Sequence, residues 1–291
     1  MKMLRPLVYL FFLNVVTLPA VAQNSILWEV SGNGLQNTSY LLGTLKFIGE
    51  QEYLVHDEII KRLQSAELFA IEDEVNHHAQ HELNKAIHFP KGESLAGALG
   101  KENYAKVVQF FETEFNISKK KFKKDFSRLK PLALSITMTR LSLHEKVRFY
   151  DIELLKLAND MRMPTYSLEA IEREAEAFNA FPVEEQAKAL MHSIDNFGQQ
   201  KNEYLKLEAA YLRGDIDKVF EYSLHPFENN AVFIEEFYFK RNMEWLPKLE
   251  KMFSEKKSFV SVGVSHMEGD KGLLALLKSK GYTLTPVSVS E

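Results

Sequence analysis

The chain is predicted to be an α/β protein, with a central β-sheet, surrounding helices and a large helical insertion. Three observations predict it. Short apolar runs alternate with helix-period segments at both ends of the sequence. A long block of helical periodicity separates those ends. No Pro/Gly/Ser-rich stretch divides the 291 residues, so residues 23–291 are expected to form one unit.

The elements follow in order. Ile26 to Ser31 and Ser39 to Thr44 flank the turn residues Gly32-Asn33-Gly34-Leu35-Gln36-Asn37, which reads as a hairpin. From Tyr53 to Ala66, Leu54, Val55, Ile59 and Leu63 recur at helical spacing. Leu68 to Ile71 is a short strand. Tyr104, Val107, Val108, Phe111 and Phe115 share a helix face, and Pro131 opens a helix through Leu143. Ile152, Leu155, Ala158 and Met161 mark another helix. Pro164 to Leu168 reads as a buried strand. Helices are expected from Val183 to about Arg213, where Gly214 suits the C-terminal cap, and from about Phe227 to Phe253. Ser258 to Val262 is a strand, Gly272 to Ser279 a helix, and Tyr282 to Val289 an edge strand because of Pro286.

Residues 1–22 have the pattern of an export signal. Lys2 and Arg5 precede an apolar stretch from Leu7 to Val16, and Ala20-Val21-Ala22 is a small-residue cleavage signature. The apolar run is too short to span a bilayer, and no later segment is long enough. The expected mature chain begins at Gln23, is periplasmic or secreted, and has no transmembrane segment. Its 34 basic and 40 acidic residues leave a net charge of −6, which argues against a nucleic-acid partner. With no cysteine, disulfides, thiolate nucleophiles and cysteine zinc sites are excluded.

Four apolar runs end in residues able to bind a metal, move a proton or hold charge. Tyr40-Leu41-Leu42 leads through Gly43-Thr44-Leu45 to Lys46. Leu68 to Ile71 leads to Glu72, and Pro164 to Leu168 leads to Glu169. Ser258 to Val262 leads through Gly263-Val264-Ser265 to His266. Sites in α/β sheets form at the carboxyl ends of strands, so Lys46, Glu72, Glu169 and His266 are expected to converge on one pocket. The two glycines, each three residues before its polar partner, are expected to let the backbone turn sharply.

The sequence resembles the TraB/GumN family, which includes the Tiki metalloproteases. The similarity runs through Trp28-Glu29-Val30, Tyr40 to Thr44, Leu68 to Glu74, Arg128 to Leu132, Tyr150-Asp151 and Ser167-Leu168-Glu169. It continues through Arg241-Asn242-x-x-Trp245, Val262 to Met267 with Gly269, Gly272-Leu273-Leu274 and Gly281-Tyr282. The resemblance implies an α/β sheet with surrounding helices. It also implies a metal site built from two Gly-x-x-His motifs and a glutamate, with metal-dependent peptide hydrolysis in some members. On this chain it points to His266, Glu72 and Glu169 as metal ligands for Mn, Co or Zn. Lys46, Glu72, Glu169 and Arg241 would be the catalytic group. The first motif ends in Lys46, and an ammonium has no free lone pair near neutral pH. Beside Glu72 and Glu169, Lys46 is expected to sit as a cation between carboxylates.

Two readings follow from the sequence. One is an exported, non-hydrolytic or weakly active binding or regulatory protein for a peptide or protein ligand. The other is a metal-dependent peptide hydrolase, with Lys46 stabilising developing negative charge. His77-His78-x-x-His81 lacks the glutamate of a His-Glu-x-x-His motif and reads as a solvated segment. Lys119-Lys120-Lys121-x-Lys123-Lys124 reads as a solvated helix face.

Overall fold

β1 (Leu27–Gly32) and β2 (Ser39–Thr44) form the expected hairpin, with Trp28 opposite Leu41. β3 (Ile48–Gly49) follows, then β4 (Leu68–Ile71), β5 (Val147–Arg148), β6 (Thr165–Ser167), β7 (Ser258–Gly263) and β8 (Tyr282–Val287). The main sheet has the order β6-β4-β7-β2-β1-β8, while β3 and β5 pair apart from it. This computed structural model describes residues 25–223 and 231–289. The export segment expected at residues 1–22 lies outside them.

β6, β4, β7 and β2 are parallel neighbours. Their carboxyl ends therefore share one edge of the sheet, as the convergence of Lys46, Glu72, Glu169 and His266 requires. β8 is the outer strand beside β1, where Pro286 fits without breaking a central ladder. β6 differs from its expected burial. Thr165 and Tyr166 are exposed, because the strand is at the opposite edge and pairs only with β4.

The helical block contains Leu95–Phe115, Lys119–Asp125, Pro131–Ser142 and Tyr150–Asp160. The stretch read as helical from Val183 is two helices, Val183–Asp195 and Phe197–Leu212, broken at the non-helical backbone of Asn196. Helices also form at His77–Ile87, Ile171–Ala180 and Ile216–Ser223. The long helix expected to end at Phe253 is interrupted. An α-turn over Ala231–Ile234 passes into a π-helical segment, Glu235–Phe239, before the helix Lys240–Glu255 begins. Such wide turns occur often at functional sites.

Two apolar cores result among the described residues. One surrounds the sheet and includes Leu27, Leu41, Phe69, Trp245 and Phe259. The other lies among the helices and is rich in phenylalanine, with Phe111 and Phe122 fully buried. Phe122 turns inward from the lysine run while Lys119, Lys120, Lys121, Lys123 and Lys124 remain exposed, so the run is a solvated face.

Candidate functional site

The site is assembled around one helix. Arg241, Asn242, Trp245 and Leu249 share the buried face of Lys240–Glu255, at spacings that bring successive turns into line. That face crosses the carboxyl ends of β4, β6 and β7.

Arg241 is 1% exposed. Its Nε donates to Glu169 Oε1 at 2.8 Å, and its Nη2 donates to Glu72 Oε2 at 3.3 Å. Nη2 also stands 2.7 Å from Glu169 Oε1. Nη1 donates to the Phe237 carbonyl at 3.1 Å and lies 3.3 Å from His266 Nε2. The cation is therefore paired with two carboxylates, a backbone carbonyl of the π-helical segment and an imidazole. Trp245 stacks beside it, with the guanidinium carbon 4.9 Å from the ring centre, and donates Nε1–H to Glu169 Oε2 at 2.7 Å. Both oxygens of Glu169 are thus engaged.

His266 lies on the short turn Val264–His266 after β7 and is buried. Asn242 fixes its tautomer. The Asn242 Nδ2 donates to the carbonyls of His266 and Lys271 at 3.0 and 2.9 Å, which leaves Oδ1 facing the ring. His266 Nδ1–H donates to that oxygen at 2.7 Å. The Nε2 lone pair then points toward Arg241, with Glu72 Oε1 3.9 Å away. Burial, and after it the positive charges of Arg241 and Lys46, hold the imidazole pKa well below its usual range. His266 is neutral.

Glu72 accepts the Gly263 N–H as well as the Arg241 contact. Burial pushes its pKa up to about 7, against the opposing charge of Arg241. Asp73 is pushed up further, to about 10, by burial and then by the neighbouring charges of Glu174 and Glu72. At neutral pH it is a protonated acid that donates to Glu174. Its Oδ1 is buried without a hydrogen-bond partner, 3.9 Å from Arg241 Nη2.

Lys46 does not lie between Glu72 and Glu169. It is exposed, and its ammonium pairs with Glu174 Oε1 at 3.0 Å on the helix Ile171–Ala180. Its pKa is raised, first by the Glu174 charge. Burial opposes ionisation of Glu174, but Lys46 and Arg241 outweigh it and lower the pKa. The cation held between Glu72 and Glu169 is Arg241, because its planar fork meets two carboxylates at once. Glu72, Glu169, Arg241 and His266 form one packed cluster, and Lys46 stands at its margin.

The two glycines act differently from the sequence expectation. Neither Gly43 nor Gly263 has a positive φ. A Cβ on Gly43 would lie 2.4 Å from Met267 Sδ and 3.1 Å from Val264 Cα. A Cβ on Gly263 would lie 3.1 Å from Glu72 Oε1. Both positions need close approach rather than a special turn.

Sequence reasoning did not single out Asp73, Glu174, Asp151, Asn242 or Trp245 as site residues. Asp151 accepts from Thr44 and Ser261 at 2.9 and 3.0 Å and ties β2 to β7; burial raises its pKa over the opposing effect of those hydroxyls. For Asn242 and Trp245 a signal existed, since their spacing from Arg241 puts them on its helix face. Glu174 had none, because its helix was not anticipated.

As arranged, these residues do not fit a divalent metal. The Arg241 guanidinium fills the point on which Glu72, Glu169 and His266 converge, and it engages the lone pairs a cation would need. Among the described residues, no group of three or more His, Asp or Glu side chains is placed to hold one. His77, His78 and His81 are exposed at the start of their helix, where His78 pairs with Glu172 at 2.8 Å. No helix among the described residues is long and apolar enough to cross a membrane.

No curated protein and no solved structure matches the chain. The model of the TraB/PrgY/gumN family matches residues 26–286, from the first strand into the last and including every residue of the cluster. The chain belongs to the TraB/PrgY/gumN family.

Proposed function

We propose that this is an exported member of the family, cleaved after Ala22, that binds a peptide or protein ligand without hydrolysing it. One observation carries the reading: a buried guanidinium stands where Glu72, Glu169 and His266 meet. An arginine is charged at all relevant pH and cannot act as a Lewis acid or activate a water. The cluster then works as a fixed scaffold of charge at the sheet edge. Lys46 is its exposed cation, and an anionic or carbonyl-bearing ligand meets that ammonium first. The periplasm or the extracellular space is the proposed location, and the mature chain from Gln23 is proposed to fold as one unit.

A second reading, a metal-dependent peptide hydrolase using Mn, Co or Zn, draws on the His266 tautomer. An imidazole whose Nδ1–H is anchored by Asn242 presents Nε2 in the manner of a metal-binding histidine. It requires Arg241 to leave the cluster.

Calorimetric titration with Mn²⁺, Co²⁺ and Zn²⁺ separates the two. The native protein should take up no tight equivalent. Lys46→His puts an imidazole beside Glu174 but leaves the Arg241 guanidinium among Glu72, Glu169 and His266, so by itself it should create no tight site. Tight uptake of one equivalent by the native protein, unchanged by Lys46→His, would favour the hydrolase.

A further inference from the structure

We propose that the lysine face of the helix Lys119–Asp125 docks the protein on an anionic lipid surface. A solvated face is also an accessible one, and this face is fixed in direction. Phe122 is fully buried, with its ring centre 5.0 Å from that of Phe111 and 6.1 Å from that of Tyr104, so the helix cannot roll about its axis. At about 100° per residue, Lys120 and Lys124 project almost opposite to Phe122, with Lys123 beside them. These three lysines are exposed and form no ion pair among the described residues. Lys119 and Lys121 stand at the flanks, 3.7 Å from Glu112 and 2.7 Å from Asp125.

The charge does not serve the helix. Its first turn is Lys119, Lys120 and Lys121 with no acid, the sign that a helix N-terminus disfavours. Nor does the charge follow the composition. Residues 101–130 carry nine basic and four acidic side chains, whereas the whole chain from Gln23 carries 34 and 40. Positive charge is gathered on one part of an acidic protein. At roughly 0.1 M salt the Debye length is about 10 Å, so a surface touching these lysines feels them far more than the acids elsewhere.

The chemistry of the face selects its occupant. Single phosphates and carboxylates suit the planar fork of arginine, and protein interfaces are poor in lysine and centred on apolar or aromatic anchors. Here all five cations are lysines, and no large apolar side chain between Val75 and Ile136 is exposed. A nucleic acid strand would find no exposed ring on which to stack a base. Ammonium groups on flexible stems, above an inward-facing Phe122, suit a diffuse negative surface touched at its headgroups without insertion.

The test is sedimentation of the chain from Gln23 with vesicles of phosphatidylcholine alone or mixed equally with phosphatidylglycerol. Binding to the mixed vesicles only is expected at about 0.1 M salt, and its loss at about 1 M, where the Debye length is about 3 Å. Each lysine near such a bilayer is worth about fivefold in affinity. Lys120→Gln, Lys123→Gln and Lys124→Gln together should therefore weaken binding about a hundredfold. Lys188→Gln, Lys251→Gln and Lys280→Gln together remove the same charge from exposed positions elsewhere and should change binding less than about twofold. Circular dichroism establishes that both triple variants are folded, and the lipid and salt comparisons need no variant. Equal binding to phosphatidylcholine alone, no binding to either vesicle at the lower salt, or equal weakening in the two triple variants would overturn the assignment. Salt-sensitive capture by heparin or polyglutamate without vesicle binding would also overturn it, in favour of an acidic macromolecule.

Discussion

Arg241 is surrounded by partners that cannot do without it. Removing the guanidinium takes away the cation that Glu72 and Glu169 share, and the neutral His266 cannot replace its charge. Breaking a buried pair by deleting one partner costs about 3–5 kcal/mol. Arg241→Met is expected to lose stability on that order in urea unfolding, although the side chains are similar in length. Asp73 presents the opposite case. Its folded pKa is raised to about 10 from an ordinary 3.8, so the folded state holds a proton that the unfolded chain releases. The stability this group contributes is complete below the unfolded pKa, and it declines as pH rises until the folded pKa is passed. Asparagine mimics the protonated acid and has no such loss. Asp73→Asn should therefore be more stable than the native protein at pH 7, by roughly 1–3 kcal/mol after allowance for its coupling to Glu174. Denaturation measured from pH 7 to pH 4 should show the difference shrinking toward zero. A constant difference would mean that Asp73 is ionised in the fold.

At the scale of elements, the site depends on how closely two strand ends approach one turn. Gly43 on β2 lies against the turn Val264–His266, and Tyr211 holds its carbonyl at 3.1 Å. Gly43→Ala drives a Cβ into Met267 and into the Val264 backbone, so about 1–3 kcal/mol of stability should be lost. Met267→Ala in the same chain should recover only part of it, because the sulfur can yield and the Val264 Cα cannot. Thermal unfolding of the single and double variants reads this directly. The strands that place these residues were legible because each is a short apolar run bounded by turn residues, and β4 and β7 were found that way. The convergence of Glu72, Glu169 and His266 could be anticipated from strand ends alone. Which cation sits among them could not, because that depends on the register of the helix Lys240–Glu255 against the sheet. Its periodicity gives the face but not the depth, and the preceding π-helical segment shifts the phase of that face. The partner of Lys46 was not legible for a related reason. A Gly-x-x-Lys at a strand end says where the backbone leaves the sheet, whereas the partner, Glu174, comes from the helix Ile171–Ala180 packed beside the cluster.

At the scale of the molecule, the question is whether the two apolar cores melt together. The helix Phe197–Leu212 belongs to both. Phe197, at its start, packs on the phenylalanine-rich core, while Leu207, Ala210 and Tyr211 pack on the sheet. Tyr204, between them, stacks on Phe47 at 5.8 Å and bonds its carbonyl. A rigid helix shared in this way cannot leave one core without exposing the other, so a single cooperative transition is expected. The chain provides its own reporter, since its two tryptophans, Trp28 and Trp245, both lie in the sheet core. Tryptophan fluorescence therefore follows the sheet, and far-ultraviolet circular dichroism follows mainly the helices. Phe111→Ala removes a fully buried ring from the helical core and should cost about 3–5 kcal/mol. If the cores are coupled, the urea midpoint seen by fluorescence must fall together with that seen by circular dichroism, although residue 111 touches neither tryptophan's core. A fluorescence midpoint left where it was, while the helical signal shifts, would divide the chain into two folding units and remove the basis for treating residues 23–291 as one.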